Sequence, residues 1–143
     1  MLTQRSRYAL RSMLFLAEAE PGSPPIPMTR IAVEANVPRK FLELILADLR
    51  DAGLLHSHRG KMGGYRLSRP SHLISLGDII RVIEGPLALV PCVSRTAYRP
   101  CKDCKSEADC AIREAMARVR DETARILDGT SLADAAALEL AAA

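Results

Sequence analysis

Tryptophan is absent from this 143-residue chain, and aromatic residues make up only 3% of it. Any core must be built from Leu, Ile, Val, Ala and Met. The shortage also argues against recognition of single-stranded nucleic acid, which uses ring faces for base stacking. No apolar run is long enough to cross a bilayer. The opening MLTQRSRYALRSM puts arginines inside what would be the apolar segment of a secretory leader. These absences predict a cytoplasmic protein with no membrane partner. There is no nucleophile–base constellation, no phosphate-binding glycine loop and no convincing acid/base pair, so an enzyme is not expected. Cysteine is scarce too: four residues, all between positions 92 and 110. In a cytoplasmic chain they predict metal or redox chemistry rather than a disulfide framework.

What is present reads as one compact globular unit, with 48% apolar and 26% charged residues. The formal net charge is +3, but it is unevenly spread. Residues 1–70 carry eleven Lys and Arg against six Asp and Glu; residues 71–143 carry nine against eleven. A polyanion, if one binds, would meet the first half.

The hydrophobic pattern is mainly helical. Leu10, Met13, Leu14 and Ala17 share one face of a helix over residues 4–19. Pro21-Gly22-Ser23-Pro24-Pro25 ends that segment. A short helix is expected over 28–35, closed by Asn36 in the left-handed region. Pro38 then opens a second helix with Leu42, Ile45, Leu46 and Leu49 as its buried stripe and Gly53 as its stop. Two helices joined by so short a turn have helix-turn-helix spacing. Leu54–His58 and Tyr65–Ser68 read as strands joined by the glycine-rich turn Arg59–Gly64. A helix-turn-helix followed by a basic hairpin is a winged helix. Ser75 and Asp78 form a capping-box-like start to a helix carrying Leu76, Ile79, Ile80 and Ile83, which Gly85-Pro86 closes.

The expected fold class is mainly α: a winged helix-turn-helix with a small β-hairpin wing and a long C-terminal dimerisation helix. Asp109 is the expected cap of that long helix, which runs to about Asp128 and spans about 28 Å. Its apolar positions are Ile112, Ala115, Met116, Val119, Ile126 and Leu127. So small a domain has little core to cover them, so a twin helix of a second chain is the expected partner. The alternative is a helix folded back on its own domain. A further short helix is expected from 130–134, with a frayed alanine-rich end over 135–143. Three units follow: 1–85 as a DNA-binding domain, 86–108 as a cysteine-containing sensor loop, and 109–143 as dimerisation helix and tail.

The N-terminal turn of a recognition helix is the part that reaches base edges. Here it carries Arg39, Lys40, Phe41 and Glu43. The two cations suit phosphates or guanine, and the carboxylate suits cytosine N4. The competing reading is a surface pair between Arg39 and Glu43. Arg5 and Arg7 are candidate phosphate contacts on the first helix. Arg59 and Lys61 at the wing tip would meet phosphates or a narrow minor groove, and Gly63, Gly64 and Tyr65 complete the wing. His56 and His58 read as strand-surface residues.

Cys92, Cys101, Cys104 and Cys110 are spaced C-x8-C-x2-C-x5-C. Thiolates select zinc, copper(I) or iron–sulfur clusters. Arg95, Arg99, Lys102 and Lys105 would lower thiol pKa values and offset the charge of a thiolate centre. Three occupancies are open: an iron–sulfur cluster of the 2Fe-2S or 4Fe-4S type, structural zinc, and a reversible disulfide switch. A structural zinc site more often shows two close C-x2-C pairs, and only one is present.

In order and spacing, several segments resemble the Rrf2 family of bacterial transcription regulators, which includes iron–sulfur, nitric oxide and iron-responsive members. They are Arg7–Leu10 (RYAL), Phe41–Glu43 (FLE), Leu49–Leu54 (LRDAGL), Arg59–Leu67 (RGKMGGYRL), Ser75–Gly85 (SLGDIIRVIEG) and the cysteine loop. The resemblance spans residues 1 to about 134. It implies a homodimer on a palindromic operator in double-stranded DNA, usually acting as a repressor. It implies that Glu43 tunes sequence choice; Leu44 stands where some members carry Gln. It implies that Cys92, Cys104 and Cys110 are cluster ligands. Some members add a His three residues past the last cysteine, here Arg113; others use a carboxylate near position 8 of the partner chain, here Tyr8. Cys101 is the extra candidate for the fourth ligand. Some relatives instead sense sulfur supply through a bound enzyme.

Overall fold

The computed structural model describes residues 2–142. Helix α1 (Gln4–Ala17) is capped by Thr3, whose side chain accepts the Ser6 amide. It buries Ser6, Ala9, Ser12, Met13 and Leu16. The buried stripe is therefore rotated from the expected one: Leu10, Leu14 and Ala17 are only partly covered. The small residues on the inner face let α1 lie close to its neighbours. At its start, Glu84 Oε1 accepts from Ser6 Oγ at 2.5 Å, Thr3 Oγ1 at 2.7 Å and Thr3 N at 2.8 Å. These donors, Ser6 foremost, hold the Glu84 carboxyl below its usual range.

Helices α2 (Met28–Glu34) and α3 (Arg39–Asp51) follow the expected spacing. Asn36, at φ 51°, makes the left-handed turn between them. Leu42, Ile45, Leu46 and Leu49 are fully buried. Each such side chain contributes about 1.5–3 kcal/mol by leaving water, so α3 has a fixed rotation about its axis. Gly53 ends it at φ 81°.

Strands β1 (Leu55–His58) and β2 (Gly64–Leu67) pair antiparallel, with Leu55 opposite Leu67 and Ser57 opposite Tyr65. Tyr65 also exchanges two backbone hydrogen bonds with Ile26, at 2.8 and 2.9 Å. The hairpin is thus pinned to the segment leading into α2. Gly64 permits this contact, because a Cβ there would strike the Ile26–Pro27 backbone.

Helix α4 (Leu76–Glu84) starts with a complete capping box between Ser75 and Asp78. Helix α5 (Ala111–Gly129) has 19 residues and buries none of them fully. It is capped by Cys110, whose Sγ accepts the Arg113 amide at 3.4 Å, and not by Asp109. Asp109 instead accepts from Ser106 Oγ at 2.9 Å. Helix α6 (Leu132–Ala142) carries the expected frayed tail as regular helix through Ala142. Ser131 and Asp134 cap its start, and fully buried Leu132 anchors it in the core near α1. The architecture is a winged helix-turn-helix followed by two C-terminal helices. Among the described residues, no helix is long and apolar enough to cross a membrane.

Gly64→Ala should cost about 1–3 kcal/mol, the range for forcing atoms into a packed site. Urea or thermal unfolding checks this. A midpoint equal to that of the original chain would show that the wing does not depend on this close approach.

Candidate functional site

Burial of one side of α3 turns Arg39, Lys40, Phe41, Glu43 and Leu44 to solvent. Arg39 and Glu43 form no ion pair, nor does Lys40, among the described residues, so the surface-pair reading of Arg39 with Glu43 is not realised. Lys40 Nζ lies 4.9 Å from the centre of the Phe41 ring, a cation–π distance. Phe41 packs in turn against Tyr8 of α1, with ring centres 5.8 Å apart. Arg11 stacks over Tyr8 at 5.1 Å and donates to the Asn36 carbonyl at 2.6 Å. The first turn of α3 and the preceding turn are thus braced from α1. Sequence reasoning missed Tyr8 and Arg11 as braces. The available signal was the i, i+3 spacing of Tyr8 and Arg11, which puts the two side chains together on one face of α1.

The other cations divide. Arg5 is held by Asp48 of α3, which ties α1 to α3 and offsets its charge. Arg7 is exposed and donates to Gln4 Oε1. Arg59 and Lys61 are exposed in the wing turn and make no ion pair among the described residues. Gly63, Gly64 and Tyr65 are half-buried at the base of the wing. A Cβ on Gly63 would strike the His58 carbonyl. The geometry therefore gives these glycines an internal packing role, whatever they touch outside. His56 and His58 are exposed on β1, as expected of strand-surface residues.

A second constellation lies at the start of α5. Cys92 is buried in a short 3₁₀ turn, Cys101 and Cys110 are half-buried, and Cys104 is exposed; all four are free thiols. They line one pocket of about 420 Å³ with Asp103, Lys105, Asp109 and Arg113. The Cys101 thiol is within hydrogen-bonding reach of Cys92. That bond, then desolvation and the nearby Cys92, Cys104 and Asp103 charges, push the Cys101 thiol up. Among the described residues, no three His, Cys, Asp or Glu side chains converge closely enough to hold a single metal ion. The donor set nevertheless suits soft thiophilic metals. One wall also carries a buried donor with no hydrogen-bond partner, Arg113 Nε. Tyr98 Oη donates to Glu107 Oε1 at 2.5 Å beside it, which raises the Tyr98 pKa.

The loop is latched to α5. Arg120 Nη1 donates to the Val93 carbonyl, next to Cys92, at 2.5 Å. Arg120 and Arg95 both reach Asp121 Oδ1, at 2.7 and 2.9 Å, and hold its carboxyl below the usual range. Lower on the same helix, Asp128 receives both terminal nitrogens of Arg81 from α4, at 2.6 and 2.9 Å. That pair lowers the Asp128 pKa and raises the Arg81 pKa. The other side of α5 is bare: Ile112, Val119 and Ile126 are 68%, 41% and 54% exposed at heptad spacing.

The Rrf2 family, described as iron-dependent transcriptional regulators, matches residues 2–137. An rrf2-like HTH-type transcriptional regulator of Rhodobacter capsulatus is 43% identical over 136 residues, which is 94% of this chain and 91% of that protein. Among solved structures, CymR, the global cysteine regulator of Bacillus subtilis, is similar with a TM-score of 0.76 at 36% identity. The match covers 96% of this chain and 97% of that one. IscR of T. potens is similar with a TM-score of 0.71 at 30% identity, covering 94% of this chain and 84% of that one. These are transcriptional regulators and not enzymes. The chain belongs to the Rrf2 family of helix-turn-helix transcriptional regulators.

Proposed function

We propose that this regulator is a cytoplasmic homodimeric repressor whose grip on a palindromic operator is set by an iron–sulfur cluster held by Cys92, Cys101, Cys104 and Cys110. The observation that carries the reading is the convergence of every cysteine in the chain on one pocket beside the latch to α5. Four thiols suit an iron–sulfur cluster, and the single C-x2-C pair is unlike the two close pairs of most structural zinc sites. The family description as iron-dependent regulators supports the same reading.

In this account residues 1–85 bind DNA, 86–108 sense, and 109–143 dimerise. Arg39, Lys40 and Glu43 enter the major groove, with Phe41 bracing them. Arg7, Arg59 and Lys61 meet backbone phosphates, and Arg5 contributes less because Asp48 offsets it. Gly63, Gly64 and Tyr65 hold the wing at its working angle. Ile112, Ala115, Val119 and Ile126 pack against their counterparts in a second copy, removing apolar surface from water. Two recognition helices so paired read half-sites about 34–36 Å apart. The bound cluster would supply charge and redox responsiveness to the loop. The chain's own part is mechanical: Cys92 moves with Val93, and Val93 with Arg120 on the dimer helix.

A second reading is a thiol/disulfide switch. The closeness of Cys92 and Cys101 favours it, as does the likeness to a cysteine regulator. Anaerobic purification with iron, sulfide and zinc assays and a visible spectrum separates the readings. Iron with sulfide supports the cluster. Zinc alone, or no metal with a reversible loss of two thiols, replaces it. Within the cluster reading, Cys101→Ala should lower iron occupancy or change the visible spectrum; no change in either would remove Cys101 as fourth ligand.

For the DNA face, the quadruple variant Arg39→Ala, Lys40→Ala, Arg59→Ala, Lys61→Ala should bind DNA at least about tenfold more weakly at 0.15 M salt. The slope of log K against log salt should fall by about one for every phosphate that the variant no longer neutralises. Unchanged affinity and slope would mean that this face does not meet the duplex.

A further inference from the structure

Arg113 sits in the first turn of α5, where its backbone N–H is already taken by Cys110 Sγ. Its side chain lines the cysteine pocket. The side chain as a whole is 38% exposed, yet Nε is buried and has no hydrogen-bond partner among the described residues. The nearest carboxylate, Glu107 Oε2, stands 3.7 Å from Nε, beyond hydrogen-bond range. The other oxygen of Glu107 accepts from Tyr98. Glu107 therefore holds the guanidinium over the pocket by charge without satisfying Nε. A buried donor on a charged group is costly to leave unpaired. The four thiols line the same pocket as Arg113, together with Asp103, Ser106 and Asp109, and none of these satisfies Nε.

We propose that Arg113 Nε donates a hydrogen bond to a sulfur of the thiolate-ligated centre and so raises the reduction potential of that centre. The inference rests on the cluster reading above. Arg113 is not a ligand: a guanidinium keeps its protons and has no acceptor. It is a positioning residue that places one N–H and one positive charge against sulfur. Hydrogen bonds to cluster sulfurs and local net charge are two of the factors that set iron–sulfur potentials. Both favour the reduced, more negative form.

The test uses the full chain, purified and loaded with iron and sulfide anaerobically, and a potentiometric titration followed by visible absorbance and electron paramagnetic resonance. Arg113→Met keeps an unbranched stem and the helix propensity but removes donor and charge. It should load as the original chain does, with its oxidised-to-reduced ratio at a fixed poise shifted at least about tenfold toward oxidised, a fall of about 59 mV for one electron. Arg113→Lys keeps the charge and displaces the donor, and should fall between the two. If Arg113→Met loads poorly, Arg113→Lys carries the measurement, and a potential equal to that of the original chain overturns the proposal. A loaded Arg113→Met with unchanged potential overturns it outright, while the cluster reading stands. An original chain that takes up no iron and sulfide overturns both.

Discussion

The stripe Leu42, Ile45, Leu46 and Leu49 decides how the rest of this molecule is used. Its four side chains leave water completely, and rotating α3 by even a third of a turn would expose several of them. Arg39, Lys40, Glu43 and Leu44 are thereby committed to solvent. Tyr8 and Arg11 fix the first turn of the same helix from α1. The wing is set against this frame through Leu55 and the Ile26–Tyr65 bridge. The basic face is thus a consequence of core packing. Arg39, Lys40 and Glu43 are free for a ligand because buried apolar side chains, helped by the Arg5–Asp48 pair, position the helix beneath them.

The C-terminal half is held differently. Helix α5 has no fully buried residue, and its ties to the rest of the chain are largely polar: Arg81 with Asp128, Arg120 with Val93, Arg95 with Asp121. Exposed ion pairs each contribute little to stability. A helix held this way tolerates small shifts better than one locked by apolar packing. Its bare stripe and its latch to the cysteine loop occupy different sides of one rigid rod. A change in the loop can therefore reach the face proposed to meet a second copy without unfolding anything between.

Much of this was readable in the sequence where local chemistry and burial agree. The α3 stripe, the left-handed Asn36, the Gly53 stop and the Ser75–Asp78 box all lie where the pattern puts them. Periodicity failed on α1, where the pattern favoured Leu10 and Leu14 but close packing chose Ser6, Ala9 and Ser12. Met13 and Leu16 are buried on that face as well, and Ser6 is drawn in by its bond to Glu84. The cap of α5 fell to Cys110 because Asp109 is engaged by Ser106, a competition invisible in one dimension. The alanine-rich end carried no amphipathic signal, yet Leu132 anchors it and it continues as helix. At the site, the grouping of the cysteines was legible from spacing. The orphaned Arg113 Nε was not, because it depends on where Glu107 and Tyr98 fold back.

Coupling between the thiol pocket and the DNA face is the central claim. It is tested most directly by the affinity of one anaerobic preparation for a duplex enriched from a random pool, measured before and after its iron is removed by chelation. All four thiols should be shown reduced in the stripped sample. The expected result is a change of at least about fivefold, the lower end of ordinary allosteric coupling. Identical affinities with iron demonstrably present and then absent would contradict it.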